Sequence, residues 1–290
     1  MSPASNTAAR GYRGRFAPSP TGPLHAGSLV AAVASFLDAH AAQGDWHIRI
    51  DDIDPPREIA GAAEGIVDCL QAHGLVGDSK TRFQHDSARA YQQALTLLLN
   101  SGHAFCCRCT RSVLGPEGVC IAGCEHNASA QEPASIRVKV PIDTQIIFDD
   151  LILGRQHYAL GQILPNYIVR RRDGLIAYQL AAAVDDGSND ITHVIRGADL
   201  ASSTPRQIYL QQLLALSTPN YGHLPIVTGA DGHKLSKQTG APALDKATAT
   251  DNLRAALAVL GQPSPPAHLS NPPALLAWAQ THWNRMRIPK

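Results

Sequence analysis

The sequence predicts an α/β fold: a parallel sheet with helices on its faces, broken by one small insertion and closed by a short helical tail. Three observations predict it. Strand-like runs alternate with amphipathic helical runs up to residue 102 and again from about 164. Between those points the alternation stops, and five of the 6 cysteines crowd between positions 106 and 124. The length of 290 residues, 44% of them apolar, is enough for a sizeable core and for roughly two domains.

Taken in order, residues 11–17 suit a short strand. Over 28–40 the apolar Leu29, Val33, Phe36 and Leu37 fall on one helical face. "WHIRI" (46–50) is a strand that runs into the acidic turn "DDIDPPR", and helices are expected over 58–73 and 86–101. The cysteine-rich stretch, the polar "EHNASAQEPAS" and short alternating strands at 136–140 and 145–149 form the insertion, 103–163. Alternation then resumes: "NYIVRR" as a strand, "AYQLAAAVDD" as a helix, "ITHVIRG" as a strand, a long helix over 199–216, and "LPIV" as the last strand. The tail, 241–290, carries helical segments near 246–260 and 273–284 on either side of "GQPSPPAHLSNPP".

Charge excludes one class of function. Lysine and arginine number 25 against 24 acidic residues, a net charge of +1, so there is no global basic field of the kind that coats nucleic acid. Local clusters remain at Arg170, Arg171 and Arg172 and at Arg285, Arg287 and Lys290, for which a solvated face is the ordinary meaning. No apolar run reaches the roughly 18 residues of a membrane span. "MSPASNTAARGYRGR" lacks the apolar centre of a secretory signal, though its composition faintly resembles a transit peptide. The expected compartment is cytoplasmic, and clustered thiols there read as metal ligands rather than disulfides.

Two stretches carry candidate chemistry. "RFAPSPTGPLHAGSL" (15–29) sets three prolines and two glycines around His25, between a strand and a helix start. A loop in that position lies where parallel sheets bind ligands, and helix N–H groups attract phosphate. Neither GxxxxGK[ST] nor GxGxxG is present, so a nucleotide would be held another way. Two hundred residues on, "HKLSK" offers Lys234 and Lys237, two flexible charges able to reach a phosphate chain.

Together these stretches resemble class I aminoacyl-tRNA synthetases of the glutamyl branch. "PSPTGPLHAGS" looks like the HIGH motif and "KLSKQ" like the KMSKS loop, while "RIDDIDPPR", "AYQLAAAVDD" and "VIRGADLASSTPRQIYL" are similar to further stretches of that branch. The resemblance runs from about Gly14 to Gly240 and implies a Rossmann-like catalytic core over 1–102 and 164–240, using ATP and Mg2+. It assigns His25, Thr21 and Lys237 to catalysis, and His25, Gly27, Ser28, Lys234, Leu235, Ser236 and Lys237 to ATP. Arg15 matches the arginine that pairs with the substrate's side-chain carboxylate, and Tyr178 and Arg196 match other binders of glutamate. The resemblance also puts Phe16, Ala17, Pro18 and Ser19 of the opening loop among the glutamate-binding residues. The branch usually reads "RIEDID", its glutamate holding the substrate ammonium; here that slot is Asp51, one methylene shorter.

Within the insertion, Cys107-x-Cys109 and Cys120-x3-Cys124 make two close pairs separated by a loop, the spacing by which four thiolates reach tetrahedral zinc. Cys106, His103 and His126 are competing ligands by position, and Cys69 reads as a small core residue. The insertion also resembles the zinc subdomain of bacterial glutamyl-type enzymes, which puts the same four cysteines in the ligand slots of one structural Zn2+.

Full glutamyl-tRNA synthetases continue into a large helical domain that grips the anticodon, whereas this sequence stops at Lys290, soon after Gln238. That pattern is like a small core-only branch. The resemblance implies tRNA-independent activation of L-glutamate and its transfer to the queuosine base in the anticodon of tRNA(Asp). The expected partners are L-glutamate, ATP and the tRNA(Asp) anticodon arm, with Arg170, Arg171, Arg172, Arg285 and Arg287 as candidate phosphate contacts, no membrane and a monomeric chain. Two alternatives stand beside it: a truncated glutamyl-tRNA synthetase that charges a tRNA 3′ end, and a catalytically inactive tRNA-binding paralogue.

Overall fold

The computed structural model describes residues 11–110, 112–115, 118–120, 133–227 and 242–290. Its first half holds β1 (Arg13–Phe16), α1 (Ala26–Ala41), β2 (Asp45–Ile50), α2 (Ala62–Ala72), β3 (Arg82–Phe83) and α3 (Ala88–Asn100). Then come β4 (Ala104–Cys107), β5 (Ser135–Lys139), β6 (Ile146–Asp150), β7 (Gly154–Tyr158), α4 (Leu160–Ile163) and β8 (Asn166–Arg170). The last group is α5 (Tyr178–Ser188), β9 (His193–Gly197), α6 (Thr204–Leu213), β10 (Asn220–Leu224), α7 (Ala249–Val259) and α8 (Pro272–His282).

Five strands form one parallel sheet in the order β10-β9-β1-β2-β3. This is the Rossmann-like order, with β1 central and the chain reversing direction across the sheet between β1 and β9. Central parallel strands are covered on both faces and need continuous apolar runs. Accordingly Ile48 and Ile50 of β2 and Val194 and Ile195 of β9 are all buried. Along α1, Leu29, Val30, Val33 and Leu37 bury a stripe against this sheet, where Trp46 Nε1 donates to Ser35 Oγ at 3.0 Å.

The tail joins the same core through Leu253, Leu257, Leu275 and Leu276. Its end is latched by buried Asp38, which accepts from Tyr12 Oη at 2.6 Å, Trp283 Nε1 at 2.9 Å and Arg285 Nη1 at 2.9 Å. Arg285 is thus committed to the fold. Asp38 lies thirteen residues along α1 from His25, about 20 Å at the helical rise, so Arg285 stands well away from the loop around His25.

Four sequence expectations change. "NYIVRR" joins a second sheet, β4-β5-β8, as an antiparallel partner of β5 rather than a strand of the parallel sheet. Alternation reports a strand, not its neighbour. The helix expected from 58 begins at Ala62, after a 3-10 turn at Pro55–Arg57, because two prolines and the left-handed Gly61 (φ 76) interrupt it. The helix over 199–216 divides into a 3-10 segment, Ala198–Ser203, and α6. The last strand is β10 rather than "LPIV", since Pro225 has no N–H to continue the ladder. The polar hairpin of β6 and β7, whose second strand the periodicity missed, packs beside β10, where Leu151 donates its N–H to Tyr221 O at 2.8 Å. Among the described residues no helix is long and apolar enough to cross a membrane.

Candidate active site

Residues 17–25 leave β1 at its carboxyl end and feed α1. The prolines of this loop donate nothing, but their carbonyls accept: Pro18 O takes the N–H of Asp51, and Pro20 O that of Ile59, both at 2.9 Å. Gly22, at φ 133, occupies backbone space that side chains disfavour. The loop is thereby stitched to the acidic turn after β2.

His25 is the N-cap of α1, its Nδ1 accepting the N–H of Ser28 at 3.3 Å. In a neutral ring this arrangement leaves the proton on Nε2. His25, Gly27 and Ser28 line a cleft of about 270 Å³ together with Gly197, Asp199 and Pro225. This is the switch point of the sheet, where open α/β folds take ligands. No acidic residue occupies the first turn of α1, so its N–H groups and the helix dipole favour an anion.

A second cleft, about 380 Å³, is lined by Ala17, Ser19, Asp51, Arg171 and Tyr178. Beneath it lies a buried charge network joining Arg15 and Asp51 to Arg49, Asp185 and Asp186, which motif reading left unassigned. Arg15 grips Asp186 with Nε (3.2 Å) and Nη2 (3.0 Å), and Arg49 Nη1 donates to the same carboxylate at 2.7 Å. Arg49 Nε also donates to Asp51 at 2.7 Å, while Asp185 accepts from Gln84 and Tyr91, each at 2.7 Å. Burial works to raise the Asp186 carboxyl, but Arg15 and Arg49 overcome it and hold the group down at about 2. For Asp51 burial wins, pushing the carboxyl up to about 6 against the pull of Arg49. The signal for Asp185 and Asp186 was available: two carboxylates ending the apolar run "AAAV" require buried donors.

Arg196 is surrounded differently. It is 4% exposed and donates to Thr204 Oγ1 at 2.8 Å, His223 Nε2 at 3.3 Å and Tyr178 Oη at 3.3 Å, with its guanidinium 5.2 Å from the Tyr221 ring centroid. Among the described residues no carboxylate lies within 4.0 Å of it. Arg15 has an internal carboxylate on its Nε–Nη2 edge; among the described residues Arg196 has only neutral partners and the ring face.

The structure therefore brings together His25, Gly27 and Ser28 in one cleft, and Ala17, Ser19, Asp51 and Tyr178 in the other. Pro18 and Thr21 shape the intervening loop. Phe16 is different: its ring is buried in the core, 6.5 Å from Trp46, so its side chain does not line the second cleft. Arg171 donates to Asp54 at 3.3 Å and Asp173 at 2.6 Å, and Arg172 to Pro133 O at 3.1 Å. Lys234, Leu235, Ser236 and Lys237 lie outside the described residues, as do Cys124 and His126.

In the insertion, Cys107, Cys109 and Cys120 bring their Sγ atoms within 4.8 Å of one another, and Cys109 and Cys120 are 3.7 Å apart. Tetrahedral zinc with bonds of about 2.3 Å requires sulfurs about 3.8 Å apart, so these thiols fit such an ion. Cys106 is excluded by the strand: successive β4 side chains alternate, and Cys106 packs towards a different apolar cluster. Asn166 of β8 clamps the loop, accepting the Cys120 N–H and donating to the Cys120 carbonyl, both at 3.0 Å.

Comparison with known proteins follows the same lines. The family described as tRNA synthetases class I (E and Q), catalytic domain, matches residues 12–117 and 121–260. A glutamyl-Q tRNA(Asp) synthetase of Thiobacillus denitrificans is 49% identical over 286 residues, covering 95% of this chain and 94% of that protein. One from Pseudomonas aeruginosa is 45% identical over 282 residues, covering 96% of each. Among solved structures, a glutamate tRNA ligase of Elizabethkingia meningosepticum in complex with its amino acid superposes with a TM-score of 0.78 at 23% identity. The match covers 96% of this chain and 66% of the ligase. A putative arginyl tRNA synthetase of Campylobacter jejuni reaches 0.51 at 12% identity, over 88% of this chain and 64% of the other. With the family match across most of its length and relatives this similar from end to end, the chain belongs to the class I tRNA synthetases, within the glutamyl-Q tRNA(Asp) synthetase family.

Proposed function

We propose that the protein joins L-glutamate and ATP into glutamyl-adenylate without tRNA, then passes the glutamate to the queuosine base in the anticodon of tRNA(Asp), in the cytoplasm. The observation that carries the amino-acid half is Arg196, a buried guanidinium with neutral partners only among the described residues. A buried cation without an anion is costly, and a substrate carboxylate arriving beside Tyr178 would complete it. The acceptor half rests on the family.

Activation is attack of the glutamate α-carboxylate on the ATP α-phosphorus, with release of pyrophosphate. Such a transfer calls for positioning and charge stabilisation rather than a protein nucleophile. His25, donating from Nε2, would hold the α-phosphoryl oxygens as charge builds, aided by the first-turn N–H groups of α1 at Gly27 and Ser28. Lys234 and Lys237 of "KLSK", with Leu235 and Ser236 between them, would bring two charges to the β- and γ-phosphates. Mg2+, when bound, would neutralise the same oxygens. Tyr178 and Arg196 would take the glutamate side chain, and Ser19 and Asp51 its ammonium. Arg15 fits less well as a direct ligand, because its Nε and Nη2 already hold Asp186. In the second step an acceptor oxygen attacks the adenylate carbonyl and AMP leaves. Cys107, Cys109 and Cys120, completed by Cys124, would hold a structural Zn2+, four thiolates leaving no open position for catalysis.

ATP–pyrophosphate exchange should proceed with glutamate and no RNA, and fall at least about tenfold with glutamine, which leaves the buried guanidinium without an anion. Labelled glutamate should transfer to tRNA(Asp) carrying queuosine and not to the same tRNA carrying guanosine. Label on the 3′ terminal adenosine of tRNA(Glu) would overturn the acceptor half, and absence of exchange the amino-acid half.

A further inference from the structure

We propose that His223, held by Asp150, is a positioning residue that fixes the Arg196 guanidinium and thereby sets the affinity for glutamate; the proposal rests on Arg196 being the carboxylate partner. Four elements meet here: Asp150 ends β6, His223 is in β10, Arg196 in β9, and Thr204 opens α6. None of these residues is more than 4% exposed.

Donor and acceptor accounting fixes the tautomer of His223. Asp150 Oδ1 accepts backbone N–H groups from Ile152 (3.0 Å), Leu153 (2.9 Å) and His223 (3.1 Å), and Oδ2 faces His223 Nδ1. Burial alone would raise the Asp150 carboxyl, but these hydrogen bonds, that from His223 foremost, bring it below its ordinary value. An ionised Asp150 places a proton on Nδ1. On the opposite side of the ring, Nε2 faces two donors: Arg196 Nε at 3.3 Å and Thr204 Oγ1 at 2.9 Å. A guanidinium N–H can only donate, so Nε2 accepts from Arg196, and the Thr204 hydroxyl, which accepts from Arg196 Nη2 at 2.8 Å, donates in its turn to Nε2. His223 is accordingly neutral and protonated on Nδ1, with its lone pair presented to Arg196.

This explains the neutral surroundings of Arg196. A carboxylate at this position would orient the guanidinium but also quench its charge, as Asp186 does for Arg15. A neutral imidazole and a hydroxyl orient the Nε–Nη2 edge and leave the positive charge for a ligand. The carboxylate that sets the tautomer is kept one residue away. The remaining nitrogen, Nη1, meets Tyr178, which lines the second cleft.

The test is glutamate-dependent ATP–pyrophosphate exchange with the full chain, measuring kcat and separate KM values for glutamate and ATP. His223→Gln can present its Oε1 near the position of Nε2, whereas His223→Asn keeps only the donor towards Asp150. We expect His223→Asn to raise the glutamate KM about tenfold or more, the scale of a hydrogen bond to a charged group, with little change in the ATP KM. His223→Gln should stay within about threefold of the parent, and Thr204→Val should raise the glutamate KM by several-fold. Equal glutamate KM values for His223→Asn and His223→Gln, or a parallel rise in both substrates' KM, would overturn the proposal. Arg196→Ala separates the two levels. If it leaves the glutamate KM unchanged, the pocket reading itself fails; if it raises it while His223→Asn does not, only the positioning role fails.

Discussion

Replacing Asp186 by Asn tests the buried charge network directly. The carboxylate is 1% exposed and accepts three charge-assisted hydrogen bonds, from Arg15 Nε (3.2 Å), Arg15 Nη2 (3.0 Å) and Arg49 Nη1 (2.7 Å). An amide of the same shape keeps one acceptor oxygen and turns an NH₂ group towards a guanidinium. Removing one partner of a buried ion pair costs about 3–5 kcal/mol, less than the summed hydrogen bonds because the site can relax and admit water. For a chain of this size that lowers Tm on the order of 10 °C. The direction with pH follows from linkage. Asp186 titrates at about 2 in the folded protein, below its ordinary 3.8, so its contribution is present above about pH 4 and is lost as pH falls towards 2. Urea denaturation of parent and Asp186→Asn should therefore show a full difference at pH 7 that narrows between pH 4 and pH 3. A difference below about 1 kcal/mol at pH 7, or one that widens on acidification, would refute the argument.

Three further outcomes are expected. His25→Ala should lower kcat of exchange by about 100-fold with a smaller effect on KM, since its donor acts on charge that develops in the transition state; an unchanged kcat would remove His25 from the chemistry. Asp51 titrates at about 6, so it loses its charge as pH falls through that value. The glutamate KM should then rise between pH 7.5 and 5.5 if this carboxylate receives the ammonium, and a flat profile would count against that role. Metal analysis should find about one zinc per chain, lost in Cys107→Ser/Cys109→Ser together with protease resistance around residues 100–165; a metal-free parent, even after reconstitution with zinc, would contradict the thiolate site.

Local chemistry was legible in the sequence wherever the cause is itself local. Apolar spacing places α1, α3, α5 and α8 to within a few residues, because a helix face is set by neighbours three and four positions away. The loop around His25 could be read as a ligand loop because its prolines, Gly22 and the following helix start lie within fifteen residues. The Cys107, Cys109 and Cys120 cluster was likewise visible as spacing. Pairings across long separations were not legible. "NYIVRR" has the alternation of a strand in either sheet, and only its register with β5 assigns it to the antiparallel one. The resemblance to the glutamyl branch marked Arg15 as a cation for a carboxylate, but its internal partner Asp186 lies 171 residues away, and the Asp150–His223 pair spans 73. Periodicity and motif spacing thus determined the elements and the kind of chemistry. Tertiary structure decided which buried charges neutralise one another and which arginine is left with neutral partners among the described residues, because a buried ion's partner is whichever group the packing brings within hydrogen-bonding distance.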